Sequence, residues 1–368
     1  MKLAAEGVPL AQYGVWVYYP WSRRLVHILG KDEFIELRTN RNRYKITQAE
    51  QDLLATKKVG IVGQSVGQSV ALTIAMERSA GEIRLADFDM LGLSNLNRVR
   101  AGLHNLGISK VYITAREIAE IDPFIAVKCF PYGVSEDTMD EFLAAEGQLD
   151  LLIDECDSLD MKVRLRHRAR ARRIPVLMET SDRCIVDIER YDFEPERPIF
   201  HDLLGDLQPQ DLIGLSTQDK IPYALQIIGE PTISDRFRAS MIEVGHSIKT
   251  WPQLASAVTM GGGIAADVAR RMILGYIRRS GRFWLDIEQI IPDSCSETPC
   301  AASEPPTPLP VSTMVELSAA LPGPAPDALR YAAAGSGARL AYCGSRGVPG
   351  HFIHVILGRD PSGVWAAA

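Results

Sequence analysis

Apolar and polar positions change their period several times along the chain, and those changes predict its elements. Near the N-terminus, Gly14-Val-Trp-Val-Tyr-Tyr-Pro-Trp is aromatic and β-branched, and Leu25-Val-His-Ile-Leu follows a polar turn at Ser22-Arg23-Arg24. Both runs predict short strands, giving a β-rich arm over residues 1–45. Arg38 to Lys45 is basic and polar. Thr47 with Glu50 three residues on is a capping-box pattern that predicts a helix start. From Lys57 onward strand and helix alternate. Strands are expected at Val59 to Val62, Ile83 to Phe88, Ile125 to Phe130, Leu149 to Ile153 and Pro175 to Glu179. Between them, helices are expected at Ser69 to Ala80 (stopped by Gly81), around the common face of Val111, Ala115, Ile118 and Ala119, at Glu136 to Ala145, and around Met161, Leu165 and Ala169. The strands are apolar throughout rather than alternating, which implies a parallel sheet covered on both faces. The expected class is therefore α/β, a doubly wound, mostly parallel Rossmann-like sheet.

After Asp182 the pattern changes. Cys184 to Tyr191 alternates, with Ile185, Asp187 and Glu189 opposed to Val186 and Ile188, which predicts an added strand with one polar face. Residues 192–222 are irregular and hold four prolines. A helix follows at about Pro252 to Leu274, then a strand from Arg282 to Ile287. Residues 293–312 read as a Pro/Ser/Thr-rich linker, and 313–368 as an Ala/Gly-rich tail with one strand-like run at Phe352 to Leu357. The expected main domain is 46–292.

Composition narrows the function. Lys plus Arg make 40 against 46 Asp plus Glu, a net charge of −6, which argues against a general nucleic-acid partner. The longest apolar approach to a membrane span, Leu254 to Ile277, is broken by Asp267, Arg270 and Arg271, so no membrane association is expected. Glu6, Pro9 and Gln12 interrupt the N-terminus as a signal peptide. No two of the six cysteines form C-x-x-C, so no structural zinc is expected, and their scatter fits a reducing cytoplasm.

The first strand ends in Gly63-x-Ser65-x-Gly67 and runs into a helix. Backbone N–H groups at such a helix start bind anions, and glycines let the backbone approach them. The same residues spell G-x-S-x-G, which would make Ser65 a hydrolase nucleophile, but no oxyanion-loop segment precedes it and only one strand does. A tight βα turn without a ligand is the remaining alternative. Asp87, 24 positions after Gly63 at the end of the second strand, favours a nucleotide, because a carboxylate there reaches ribose hydroxyls in dinucleotide folds. ATP and NAD both remain open at that point.

The stretch Asp87-Phe-Asp89-Met-Leu-Gly-Leu-Ser-Asn95-Leu-Asn-Arg98 resembles the D-x-D…S-N-L-x-R segment of the ThiF/MoeB/HesA family, the ATP-dependent adenylyltransferases related to ubiquitin-activating enzymes. Lys110, in Gly107-Ile-Ser-Lys, is similar to that family's G-x-x-K lysine. Leu152-Ile-Asp154-Glu-Cys-Asp157 is similar to its hydrophobic-D-x-x-D motif. The resemblance covers about Asn40 to Ile290. It implies a nucleotide site in which Gly63, Ser65 and Gly67 cradle phosphate and Asp87, Asp89 and Asn95 bind ATP. Arg98 and Lys110 would neutralise phosphate charge, and Asp157 would hold Mg²⁺. It further implies a homodimer in which an N-terminal arginine, Arg41 by preference over Arg43, reaches the neighbouring site. The acceptor would be the C-terminal carboxylate of a small ubiquitin-like or sulfur-carrier protein, in molybdopterin or thiamine biosynthesis. Chemistry at an α-phosphate needs such charges, since catalysis there is mostly positioning and neutralisation. Each has a bland reading beside it: Arg98 and Lys110 as solvated surface charges, Asp157 as a helix N-cap.

Some positions depart from the family. Ser65 and Gln68 stand where G-x-G-x-x-G has its second and last glycines, and Ser158 stands where Asn is usual. The paired C-x-x-C zinc site is absent, so the chain resembles a zinc-free branch of MoeY type, whose members are fused to a nitroreductase-like domain; Asp327 to Ala334 would be the first helix of that domain. Cys184, the nearest thiol to the expected crossover region, is read as a half-buried inert group on the alternating strand, which favours adenylation without a thioester step. Arg164 to Arg173, with six arginines, is read as a solvated helix face paired with Asp150, Asp154 and Asp160. Two other functions stay open: a degenerate member that binds nucleotide or partner without turnover, and an NAD(P)-dependent oxidoreductase.

Overall fold

The computed structural model describes residues 12–291, apart from 206, 216 and 230–232, together with Pro9 and three short C-terminal strands. The described residues up to Ile290 and the three C-terminal strands form one compact unit. The expected linker at 293–312 and the helix expected at Asp327 to Ala334 lie outside the described residues.

Five strands make the parallel centre: β3 (Lys58–Val62), β4 (Glu82–Ala86), β5 (Ala126–Phe130), β6 (Leu151–Asp154) and β7 (Val176–Thr180). Their spatial order is β5-β4-β3-β6-β7. The chain thus builds outward from β3 in one direction, then returns to its other side with β6. That reversal opens a crevice beyond the carboxyl ends of β3 and β6, the place where open α/β sheets bind ligands. Two antiparallel strands, β8 (Ile185–Glu189) and β9 (Gly281–Trp284), extend one edge. At the opposite edge, Leu357–Arg359 and Trp365–Ala367 add antiparallel to β5.

Alternate strand residues serve two cores. Ile61, Leu85, Leu151 and Ile153 pack with helices α3 (Gly67–Glu77), α4 (Lys110–Ile121) and α9 (Ala255–Ile273). Val62, Ala86 and Leu152 face α5 (Met139–Ala144) and α6 (Leu159–Ala171) on the other side. Because successive side chains on a strand point to opposite faces, a strand covered on both sides must be apolar at every position. The four residues expected on one face of α4 are all buried. Strand β4 stops at Ala86, two residues before its expected end, where Asp87 Oδ1 accepts the amide of Asp89 and turns the chain.

The arm forms as a hairpin of β1 (Val15–Tyr19) and β2 (Arg24–Ile28), with His351–His354 beside β1. Tyr19 anchors it to α4, donating its hydroxyl to Ala119 O at 3.2 Å. A helix at Lys31–Arg38 follows that the pattern did not predict; none of its residues is buried, so it lacks the apolar stripe that would announce it. The expected capping box of Thr47 and Glu50 opens α2 (Gln48–Leu54).

Three expectations need correction. Strand β8 keeps the polar side expected of it, with Asp187 and Glu189, but that side is not exposed: all five residues are buried. Segments beyond Tyr191, including Phe200, Leu212 and Ile227, cover it. Glu189 there accepts from Arg166 Nε (2.6 Å), the Tyr191 hydroxyl (2.5 Å) and the Phe200 amide (2.6 Å). The arginine run on α6 is not one solvated face either. Arg166 is fully buried between Asp154 and Glu189, while Arg164 pairs with Glu136, and Arg168 and Arg172 pair with Asp140. Asp150 pairs instead with Lys57. Finally, Cys184 is wholly buried and precedes β8 in a left-handed conformation (φ 41°). Burial, with Glu179 nearby, pushes its thiol up to about 12.

Candidate active site

The crevice is built around Gly63. Its φ of 90° suits glycine, and a Cβ there would stand 2.4 Å from Glu155 O, so β3 and the turn after β6 touch backbone to backbone. Gly67 opens α3, and its own Cβ would strike Ile61 at 2.8 Å. The loop between them is tied down by Asp87, whose Oδ2 accepts the Gln64 amide at 2.6 Å. Burial raises the Asp87 carboxyl even though the Gln64 and Asp89 amides and Lys110 favour its charge.

Charged side chains converge on this loop. Arg98 donates from Nε to the Ser65 hydroxyl (3.1 Å) and from Nη1 to Asn97 (2.9 Å). Lys110, at the start of α4 and 6% exposed, donates to Asp89 Oδ2 at 2.7 Å. Asp157 follows β6. Its side chain is exposed at the mouth of the crevice, and partial desolvation there raises its carboxyl, against the charges of Lys162, Lys110 and Arg98, while Asp87 adds to the rise. Asp157 is thus within electrostatic reach of Arg98, Lys110 and Asp87. Arg98 is half-buried and hydrogen-bonded rather than a solvated surface charge, and the N-cap position of α6 is held by Ser158 rather than Asp157.

Asn95 and Arg41 behave differently. The Asn95 side chain accepts the Gly92 amide at 2.9 Å, so it shapes the one-turn helix Leu93–Asn97 that delivers Arg98. Arg41 is exposed on the turn Asn40–Asn42. Its neighbour Asn42 bonds Glu77 O at the far end of α3. The eleven residues of α3 put that end about 16 Å from the Gly67 loop, so Arg41 does not enter the crevice of its own chain.

The departures from the glycine pattern have structural work. Ser65 receives Arg98. Gln68 clamps the backbone of Arg100, accepting from its N at 2.8 Å and donating to its O at 2.9 Å, and also donates to Glu117 at 3.0 Å. Burial pushes the Glu117 carboxyl up to about 7.

Beside the crevice, past β6 and β7, lies a cleft of about 120 Å³, lined by the apolar Ile227, Phe237, Met241 and Trp251 and by the charged Glu155, Lys162 and Glu179. Lys162 reaches Asp154 Oδ1 at 3.2 Å. Burial would raise the Asp154 carboxyl, but Lys162 and Arg166 win and hold it at about 2. Sequence reasoning missed Lys162, Glu155 and Glu179. One signal existed for Lys162: with Leu159, Val163 and Arg166 it follows helical spacing on a buried face, where an unpaired charge would be costly.

Among the described residues no three His, Cys, Asp or Glu side chains gather as metal ligands, and no helix is long and apolar enough to cross a membrane.

Comparison with known proteins matches the ThiF family model to residues 38–293. An uncharacterized protein of Mycobacterium tuberculosis is 50% identical over 272 residues, which is 74% of this chain but 38% of that protein's own length. The tRNA threonylcarbamoyladenosine dehydratase of Bacillus subtilis is 28% identical over 241 residues, 63% of this chain and 94% of the relative. The molybdopterin-synthase adenylyltransferase of Haemophilus influenzae is 25% identical over 156 residues, 42% of this chain and 62% of the relative. With the matched region spanning the five parallel strands that form the crevice and the motifs that line it, the chain belongs to the ThiF family.

Proposed function

We propose that the chain is an ATP-dependent adenylyltransferase that activates a carboxylate. The observation that carries the reading is the meeting of Arg98, Lys110 and Asp157 with Asp87 at the crevice between β3 and β6. Loop amides from Gly63 to Gly67 would receive phosphate at the start of α3. Asp87 and Asp89 would hold the ribose, and Asn95 would keep Arg98 in place. Arg98 and Lys110 would draw charge from the triphosphate as the acceptor carboxylate attacks the α-phosphorus. An acyl adenylate forms, the α–β phosphate bond breaks and pyrophosphate leaves.

Asp157 is exposed beside the crevice, and a single open carboxylate suits Mg²⁺, which is usually held by one or two carboxylates plus phosphate oxygens. Bound there, Mg²⁺ would neutralise charge on the leaving phosphates.

The finer assignments extend this reading. The acceptor is the C-terminal carboxylate of a small ubiquitin-like or sulfur-carrier protein, in keeping with the named activity of the Haemophilus relative. Arg41, remote from its own crevice, serves the site of a second copy in a homodimer. No zinc and no thioester step are required, and the tail belongs to a nitroreductase-like fusion.

ATP–pyrophosphate exchange with a carrier protein tests the activity. Asp157→Asn should lower exchange by at least about 100-fold, a typical effect of removing a transition-state charge partner. Its melting temperature should stay unchanged. Exchange that survives the substitution, or ATP binding with no exchange on any carrier, would overturn the reading.

A further inference from the structure

Glu179 ends β7 in the lining of the cleft and is 3% exposed, yet no N–H or O–H donor reaches either carboxyl oxygen, and the weak Cys184 thiol is its side-chain partner. Leaving a buried polar group unsatisfied costs about 1–3 kcal/mol, so such a group needs a reason. Its carboxyl lies against Gly261 of α9, where a Cβ would stand 2.3 Å away and where no side chain can supply a donor. The Glu179 amide is spent on Glu155 Oε1 at 3.1 Å. Ser181, also lining the cleft, has a buried hydroxyl without a partner. The wall carries four carboxyl groups, Glu155, Asp157, Glu179 and Asp182, against Lys162, which is already committed to Asp154.

We propose that this part of the cleft lining is the acceptor-side subsite of the adenylation centre, and that it receives a basic side chain carried next to the carboxylate to be activated. The subsite offers three oxygens that no N–H or O–H donor claims, two from Glu179 and one from Ser181, to the three N–H donors of an ammonium group. Apolar walls of Ile227, Phe237 and Trp251 would sheathe the methylene stem of a lysine. Burial pushes the empty Glu179 carboxyl up to about 8, with the Cys184 thiol easing its ionisation only in part. A bound cation would restore the charge.

The assignment rests on the adenylation reading, so the test separates the two. The full chain, held with the non-cleavable analogue α,β-methylene-ATP, is titrated calorimetrically with the peptide Ala-Lys-Gly-Gly and with its norleucine twin. The lysine peptide should bind at least tenfold tighter. Glu179→Gln, close in shape and checked for an unchanged melting temperature, should erase the preference, and Ser181→Ala should reduce it. Equal affinities, no binding of either peptide, or a preference that persists in Glu179→Gln would overturn the subsite. Pyrophosphate exchange with a carrier protein is read separately. Exchange without lysine preference removes the subsite and keeps the adenylation. Lysine preference without exchange removes the adenylation and keeps the cation site.

Discussion

The Nε of Arg98 donates to the hydroxyl of Ser65 across 3.1 Å, joining the 3₁₀ turn after β4 to the loop after β3. The serine stands where the family's glycine pattern has none of its own polar groups. Its hydroxyl holds the guanidinium beside the crevice before any ligand arrives.

Ser65→Ala removes that anchor and leaves Arg98 with Asn97. A hydrogen bond of this kind contributes about 1 kcal/mol. ATP binding measured by titration calorimetry should therefore weaken about fivefold. An unchanged dissociation constant would show that Ser65 does not preorganise Arg98.

Helix α9 carries three consecutive glycines whose environments differ. At Gly262 a Cβ would meet Ser69 Oγ at 2.2 Å and its backbone carbonyl carbon at 2.9 Å; at Gly263 it would meet nothing within 4 Å. Gly263→Ala should stabilise the chain by about 1 kcal/mol through helix propensity. Gly262→Ala should instead destabilise it by about 1–3 kcal/mol, because overpacking between α3 and α9 outweighs that gain. Chemical denaturation of the pair checks the opposite signs.

Glu117 gives a pH signature. Burial lifts its folded-state carboxyl from 4.5 to about 7. The native chain then holds an extra proton between those values, so this group's contribution makes stability fall as pH rises from about 4.5 to 7. Glu117→Gln keeps an acceptor for Gln68 and removes the charge. It should gain about 1 kcal/mol over the parent at pH 8, after allowance for partial exposure, and little at pH 4. Melting curves at the two pH values decide it, and an equal effect at both would refute the assignment.

Arg166 should be the least replaceable charge. Both Asp154 and Glu189 depend on it in the interior, and its guanidinium also lies 3.8 Å from the Phe200 ring centroid. Arg166→Met leaves the buried Glu189 without its cation and Asp154 with Lys162 alone, and should cost about 3–5 kcal/mol. A loss below 1 kcal/mol by urea denaturation would mean that water or Lys162 takes its place.

How much of this was legible beforehand differs by feature. The alternation of elements from Lys58 to Thr180 was readable because strands covered on both faces and helices with apolar stripes leave periodic traces. Gly63, Ser65, Asp87, Asp89, Arg98, Lys110 and Asp157 were readable as spaced motifs, and they do gather at one crevice. The burial of Asp187 and Glu189 was not readable. Their alternation with Val186 and Ile188 looks like a solvent-facing pattern until the segment beyond Tyr191 folds back over that face.

The sequence by itself determined the α/β class, the parallel centre and the family, because these depend on local periodicity and on motifs held within short stretches. Only the tertiary structure decided which charges are paired inside, and it left Glu179 at the cleft with no N–H or O–H donor. It also placed Arg41 at the end of α3 away from the crevice. The physical reason is shared: burial and pairing depend on segments distant in the chain, such as Asp154 with Arg166 and Glu189, or Glu179 with Gly261, and no local pattern records which distant group will arrive.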